Sequence, residues 1–205
     1  MKGIPSLGAG AIYPIPEDDV FIDPIKLPEF YPRGYGLDVG WNKTAAVWGA
    51  WDRDNDIIYA YSEHYRGQAE PPVHASAIKA RGSWIHGAID PASRGGSQAN
   101  GVKLLSLYEK NGLHLEMANN AVEAGILEVY QRLSEGRLKI FNTLEATKKE
   151  YRIYRRNEKG LIVKQNDHAM DALRYLVMTI QDIAKTRPVK KQNLRSTVAD
   201  KMVGY

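Results

Sequence analysis

The sequence predicts an α/β domain, and three observations carry that prediction. Short apolar runs bounded by turn residues alternate with stretches whose apolar residues recur at helical spacing. The last periodic segment, 167–184, carries one stripe of Ala169, Leu173, Leu176, Ile180 and Ile183, as a helix with a single core-facing side does. Two apolar runs end on an acid, Asp38 in YGLDVGW and Asp90 in GAIDPAS, and a third acid, Asp171 in NDHAMDALRY, opens that last helix.

Taken in order, residues 1–34 read as an irregular linker arm, because Pro5, Pro14, Pro16, Pro24, Pro28 and Pro32 leave room for little beyond a short edge strand. A core of 35–184 follows. Residues 35–39 form a strand ending at Asp38; TAAVWGAW (44–51) is a continuously apolar, buried strand; the polar turn DRDND reverses the chain into an alternating strand over 57–65. These three make an antiparallel meander. Pro71 and Pro72 suit the first turn of a helix running to Lys79, after which Trp84–Ile89 lead a fourth strand into Asp90. Val102, Leu105 and Tyr108 mark a helix closed by Gly112; Leu113, Leu115 and Met117 mark a fifth strand; Asn120 and Glu123 form a capping box for a helix ending near Gly136. A short strand around Leu138 and Ile140 precedes a charged segment and the helix of 167–184. The remainder, 185–205, is basic, broken by Pro188 and expected to be a flexible tail.

Composition limits the chemistry. A length of 205 residues suits one domain with a real core, and the absence of cysteine removes disulfides, thiolate zinc sites and thiol nucleophiles while fitting a reducing compartment. No apolar stretch approaches a membrane span, and MKGIPSLGAG lacks the apolar core of a signal peptide, so a soluble protein without membrane contact is expected. The net charge of +4 is too small to argue for nucleic acid by itself. The three acids say more: carboxylates gathered without a cation repel one another, so their convergence points to a hard divalent ion, magnesium or manganese rather than zinc.

The order β-β-β-α-β-α-β-α, with acids ending the first and fourth strands and heading a late helix, resembles the RNase H-like superfamily. GLDVGWNKTAAVW, IDPAS, KKEYRIY and NDHAMDALRY together resemble, over about residues 30–180, the C-terminal nuclease domain of the large terminase subunit of tailed bacteriophages, above all short-tailed phages that package by the headful mechanism. The resemblance implies an RNase H-like fold with a central mixed sheet of five or more strands flanked by helices. It implies a metal-dependent endonuclease cutting concatemeric viral DNA without strong sequence preference. Asp38, Asp90 and Asp171 would be the catalytic acids and the ligands of two Mg2+ or Mn2+ ions roughly 4 Å apart, which activate water and stabilise the departing 3′ oxygen. The implied partners are double-stranded viral DNA, the portal protein and the small terminase subunit, in the host cytoplasm and transiently at the procapsid portal. No GxxxxGK[ST] loop occurs, so a nuclease domain without the family's N-terminal packaging ATPase is expected.

Other residues carry two readings each. Asp167, four residues before Asp171, is either a further metal ligand or the cap of its helix. Lys148, Lys149, Arg152, Arg155 and Arg156 interleave with Tyr151, Ile153 and Tyr154 before the RNEKG turn, which suggests an added β-hairpin whose basic face meets DNA backbone, or else a solvated face. Arg94, in the loop SRGGS, is a further phosphate contact or a solvated arginine. His168 is expected at the surface because a helix turns it about 100° from its neighbours; His86 is expected in the core and Glu63 exposed on its strand. Two rival functions stand beside the nuclease. One is a portal or capsid docking module that needs no metal; the other is a nucleotide-binding domain of the actin and sugar-kinase type, since Asp38 followed by Val39, Gly40 and Thr44 resembles its DxGxT phosphate loop, although that fold needs two domains and leaves DHAMDALRY without a role.

Overall fold

The computed structural model describes residues 9–90, 104–119 and 121–189. Its strands are β1 (Gly10–Ala11), β2 (Phe21–Ile22), β3 (Arg33–Asp38), β4 (Thr44–Asp52), β5 (Ile57–Arg66), β6 (His86–Ile89), β7 (Leu115–Met117), β8 (Leu138–Phe141) and β9 (Arg155–Arg156). Its helices are α1 (Glu17–Val20), α2 (Pro71–Lys79), α3 (Leu104–Lys110), α4 (Val122–Ser134), α5 (Glu145–Ile153) and α6 (His168–Ile183). Seven strands form one mixed sheet in the order β2-β8-β5-β4-β3-β6-β7. The meander β3-β4-β5 is antiparallel at its centre, and β6, β7, β8 and β2 join it in parallel pairings, each reached through a helix or a long connection.

The continuous apolar character of β4 follows from burial on both faces. Ala45 and Val47 point into a core shared with α4, α5 and α6, whereas Ala46 and Trp48 point into a second core with Ala75 and Ile78 of α2 and Tyr108 of α3. The strand β3 divides in the same way: Tyr35 and Leu37 face α2 and α3, and Gly34 and Gly36 face α6. Those glycines set how close α6 can come. A Cβ on Gly36 would lie 1.9 Å from the Ala172 carbonyl oxygen, and one on Gly34 would lie 2.9 Å from Ile183. The helix therefore lies with its backbone directly on the strand, antiparallel to it. One two-residue step along β3 advances about 6.8 Å, the rise of four to five helical residues, so the next position on that face after Gly36, Asp38, falls opposite the first turn of α6.

Three expectations are revised. Residues 9–34 are short of regular structure, yet they do not form a detached arm: Ile12, Tyr13, Val20 and Phe21 are buried in the main core, and β2 extends the sheet beside β8. Tyr13 stacks on Tyr151 with ring centroids 6.1 Å apart, and β1 pairs with β9, so this segment clamps α5. For the expected capping box, α4 has Ala121 at its N-cap position, no cap hydrogen bond comes from that residue's side chain, and Glu123 binds Arg156; Asn120, the box's other half, lies outside the described residues. The basic hairpin is narrower than expected, because 145–153 is helical. It spans Arg155 to Val163, closed by Asn157 N–H donating to Leu161 O at 2.9 Å and Val163 N–H to Arg155 O at 3.0 Å.

Candidate metal centre

Asp38 and Asp90 reach the same rim of the sheet because β3 and β6 run parallel with Leu37 opposite Ile89; the Asp90 amide donates to Leu37 O at 3.2 Å. Asp171 arrives from the other direction, on the first turn of α6. Asp38 senses the other two carboxylates. Burial raises the pKa of Asp38, the negative charges of Asp171 and Asp90 raise it further, and the hydrogen bond from His168 opposes the rise. Tyr175, one helical turn beyond Asp171 and buried, feels all three acids, and burial is the main reason its pKa is raised.

Cations of the chain itself balance this charge. His168 Nδ1 is 2.8 Å from Asp38 Oδ2, and that contact holds the imidazole pKa above its usual value. Lys164 Nζ lies 3.0 Å from Asp167 Oδ2 and 3.2 Å from Asp171 Oδ2. Arg174 Nη2 donates to the other oxygen of Asp171 at 3.0 Å. Arg174 is buried, its guanidinium rests 4.6 Å from the Tyr175 ring, and its stem passes where a Cβ on Gly125 would be, 2.7 Å away. Among the described residues no three acidic or histidine side chains stand as a finished ligand shell. The acids nevertheless suit a hard divalent ion in kind, all oxygen and at one rim, and Lys164, which bridges two of the acids, has a side chain 60% exposed.

The other candidates fall as follows. Asp167 occupies the N-cap position of α6, but its side chain makes no capping hydrogen bond. That duty belongs to Glu150, whose Oε2 accepts from Ala169 N at 2.6 Å and Met170 N at 3.3 Å while Oε1 accepts from the Tyr65 hydroxyl at 2.7 Å. Glu63, expected at the surface, does the same for α5, accepting from the amides of Ala146 and Thr147, both at 2.9 Å. His168, expected to turn away, is the residue that meets Asp38. His86 is half-buried and stacks on His114 with centroids 4.8 Å apart. Among the basic residues, Arg152 is held by Glu17 through two bonds of 2.6 and 2.8 Å, Lys148 lies 3.8 Å from the same carboxylate, and Arg156 is buried against Glu123 and Gly160 O. Arg155 and Lys149 are exposed, and Arg94 lies outside the described residues.

Comparison with known proteins agrees with this geometry. The profile of the terminase RNaseH-like domain family matches residues 35–179. The large terminase subunit of Salmonella phage P22 is 34% identical over 93% of this chain and 40% of its own length, and that of Enterobacteria phage LP7 is 35% identical over 85% and 38%. The chain thus spans about two-fifths of those relatives. The solved P22 large terminase nuclease domain superposes with a TM-score of 0.80 at 31% identity, covering 88% of this chain and 97% of that one. The nuclease domain of the large terminase of bacteriophage SPP1, solved with bound manganese, shares the fold at a TM-score of 0.53 and 19% identity, over 75% of this chain and 88% of that one. With 35–179 matched and the acids at the rim of a mixed seven-stranded sheet, this chain belongs to the terminase RNaseH-like domain family and has the RNase H-like fold.

Proposed function

We propose that this chain is a divalent-metal-dependent DNA endonuclease that cuts viral DNA during packaging, without strong sequence preference. The observation that carries the reading is the meeting of Asp38 and Asp90, at the ends of paired parallel strands, with Asp171 on the helix laid across them. Asp38, Asp90 and Asp171 would hold two Mg2+ or Mn2+ ions, with Asp167 available beside them. When bound, such ions activate water and stabilise the oxygen leaving phosphorus. The chain's own part is to fix the acids on rigid elements, keep Asp171 oriented through Arg174, and set His168 where it can hold a proton against Asp38 Oδ2. Exposed Arg155 and Lys149 would meet phosphates without reading bases. Packaging partners such as a portal protein and a small terminase subunit, and action in the host cytoplasm at the procapsid portal, belong to the same proposal.

The test pairs two measurements. Supercoiled plasmid incubated with the protein under manganese, magnesium or EDTA should be nicked and linearised only with metal, at ends without a consensus. In parallel, manganese titrated into the protein should raise its melting temperature, and Asp38→Asn should abolish that rise. Cleavage that persists in EDTA, or a wild-type melting temperature indifferent to both ions, overturns the metal reading.

A further inference from the structure

The loop Val39–Lys43 leaves β3 directly after Asp38 and turns into β4, so it forms part of the rim on which the acids stand. It carries Trp41, whose residue is 63% exposed. The other tryptophans are engaged: Trp48 is buried beneath the guanidinium of Arg81, Trp51 donates to Asp56 at 3.0 Å, and Trp84 is half-buried against the second core. Exposure of one aromatic ring is ordinary by itself. What gives this one meaning is the backbone beneath it.

That backbone is locked on both sides. The Gln68 amide donates to Trp41 O at 2.8 Å, and the Thr44 hydroxyl donates to Gly40 O at 3.1 Å. Gly67 is packed so closely that a Cβ there would lie 1.9 Å from Asn42 O. Lys43, next but one, is held with its ammonium 5.2 Å from the centre of the Tyr65 ring, which ties the end of the loop to β5. A large flat ring on a loop whose backbone is held by hydrogen bonds and close packing loses little freedom when another flat ring settles on it. Base-on-aromatic stacking needs that geometry and accepts any base, because every base has a π-face.

We infer that Trp41 stacks on an unpaired nucleobase beside the acidic centre, which gives this domain a preference for locally melted DNA. The inference rests on the DNA-cleaving reading above. Asp38 and Asp171 have side chains only 14% and 13% exposed, so a backbone phosphate must be brought into a recess. A smooth duplex resists that local distortion, and unstacking a base costs a few kcal/mol. The indole offsets part of that cost by receiving the base.

The experiment uses the whole 205-residue chain in EDTA, so that cleavage plays no part. Fluorescence anisotropy measures binding to a short intact duplex and to the same duplex with a central run of mismatches. The wild type should prefer the mismatched duplex by about five-fold to a hundred-fold, the range that one stacked base supplies. Trp41→Phe should keep most of that preference, and Trp41→Ala should lose it while binding the intact duplex as before. The mismatched duplex should also quench a tryptophan signal that Trp41→Phe lacks, a readout available even if the alanine variant folds poorly. Equal binding of both DNAs by the wild type, a preference and quenching untouched by either substitution, or binding weakened equally for both DNAs overturns the inference while leaving the nuclease reading standing. No binding to either DNA overturns both.

Discussion

Gly36 and Ala172 touch through backbone: a Cβ on the glycine would fall 1.9 Å from the alanine's carbonyl oxygen and 2.6 Å from the Leu176 amide. Neither obstacle is a side-chain end that could rotate aside. Gly36→Ala must therefore push α6 off β3, and it should cost about 3 kcal/mol or more, or prevent folding. Urea denaturation followed by circular dichroism measures this. An unchanged midpoint would mean that helix and strand do not lie in contact.

The three acids should behave alike toward metal and unlike toward stability. Asp38→Asn, Asp90→Asn and Asp171→Asn should each remove the melting-temperature rise produced by manganese. In the metal-free protein, Asp38→Asn should raise the melting temperature by roughly 1–3 °C, because burial and its neighbours disfavour the charged carboxylate. Asp171→Asn should instead destabilise by about 3 kcal/mol, since it leaves the buried Arg174 without its partner. The like-charge argument alone would have all three tolerated; the buried arginine makes Asp171 the exception. Differential scanning calorimetry with and without metal separates the two effects.

Acid should weaken the fold through the pair His64 and His74. His74 Nε2 faces Ala69 O at 3.1 Å, so it carries the proton, and its Nδ1 must then accept from His64 Nε2, 2.9 Å away. Burial chiefly lowers both pKa values, His64 to about 4, with the charge of His74 adding to the shift in His64. The folded state thus binds fewer protons than the unfolded one. The pair's stabilisation is complete above the unfolded pKa of about 6.5 and is lost as pH falls from there toward 4, on the order of 1–2 kcal/mol. Raised carboxylates such as Glu150 act in the opposite sense, so the informative quantity is the difference between wild type and His64→Gln. The unfolding free energy of the variant should fall less between pH 7.5 and pH 5; parallel curves would remove the pair from the pH response.

Basic residues should divide by their partners. Arg155→Ala and Lys149→Ala, at exposed positions, should weaken DNA binding and flatten the dependence of log affinity on log salt by up to about 0.9 for each phosphate no longer neutralised. Arg156→Ala should act mainly on stability, because its guanidinium is buried on Glu123 and Gly160 O. A salt series of binding curves together with melting temperatures tests the division. If Arg156→Ala changed the salt slope as much as Arg155→Ala at unaltered stability, the ion pair with Glu123 would not persist in solution.

The central strands and the acids were legible because a buried strand must be apolar along its length and an acid at its end breaks the run abruptly. What remained hidden had partners far away in sequence. Glu63 and Glu150 look like surface carboxylates, yet they bind helix-starting amides 83 and 19 residues further on. KKEYRIY fits both a period of two and a helix; the helix face Thr147, Glu150, Tyr151, Tyr154 was disguised by a buried acid whose burial only the start of α6 explains. His168 was expected at the surface, yet it lies three residues before Asp171 on the same side of α6, and its partner is on a strand, not on its own helix. One signal was available and unused: in GYGLD the glycines share a face with Asp38, and glycine alternating along a strand marks close approach of another backbone.

Asp38 and His168 are separated by 130 positions along the chain, and the helix that closes the acidic rim is the last regular element described. During synthesis, then, β3 and β6 leave the ribosome long before α6 exists. A nascent chain already holds two of its acids but lacks the third, together with the lysine, histidine and arginine that neutralise them. The contacts that assemble the rim are among the most distant in the molecule, the kind that forms late in folding. The acidic rim is therefore completed in one step, when α6 packs on β3, and a nascent chain that stops before residue 168 holds Asp38 and Asp90 without the helix that brings Asp171 to them.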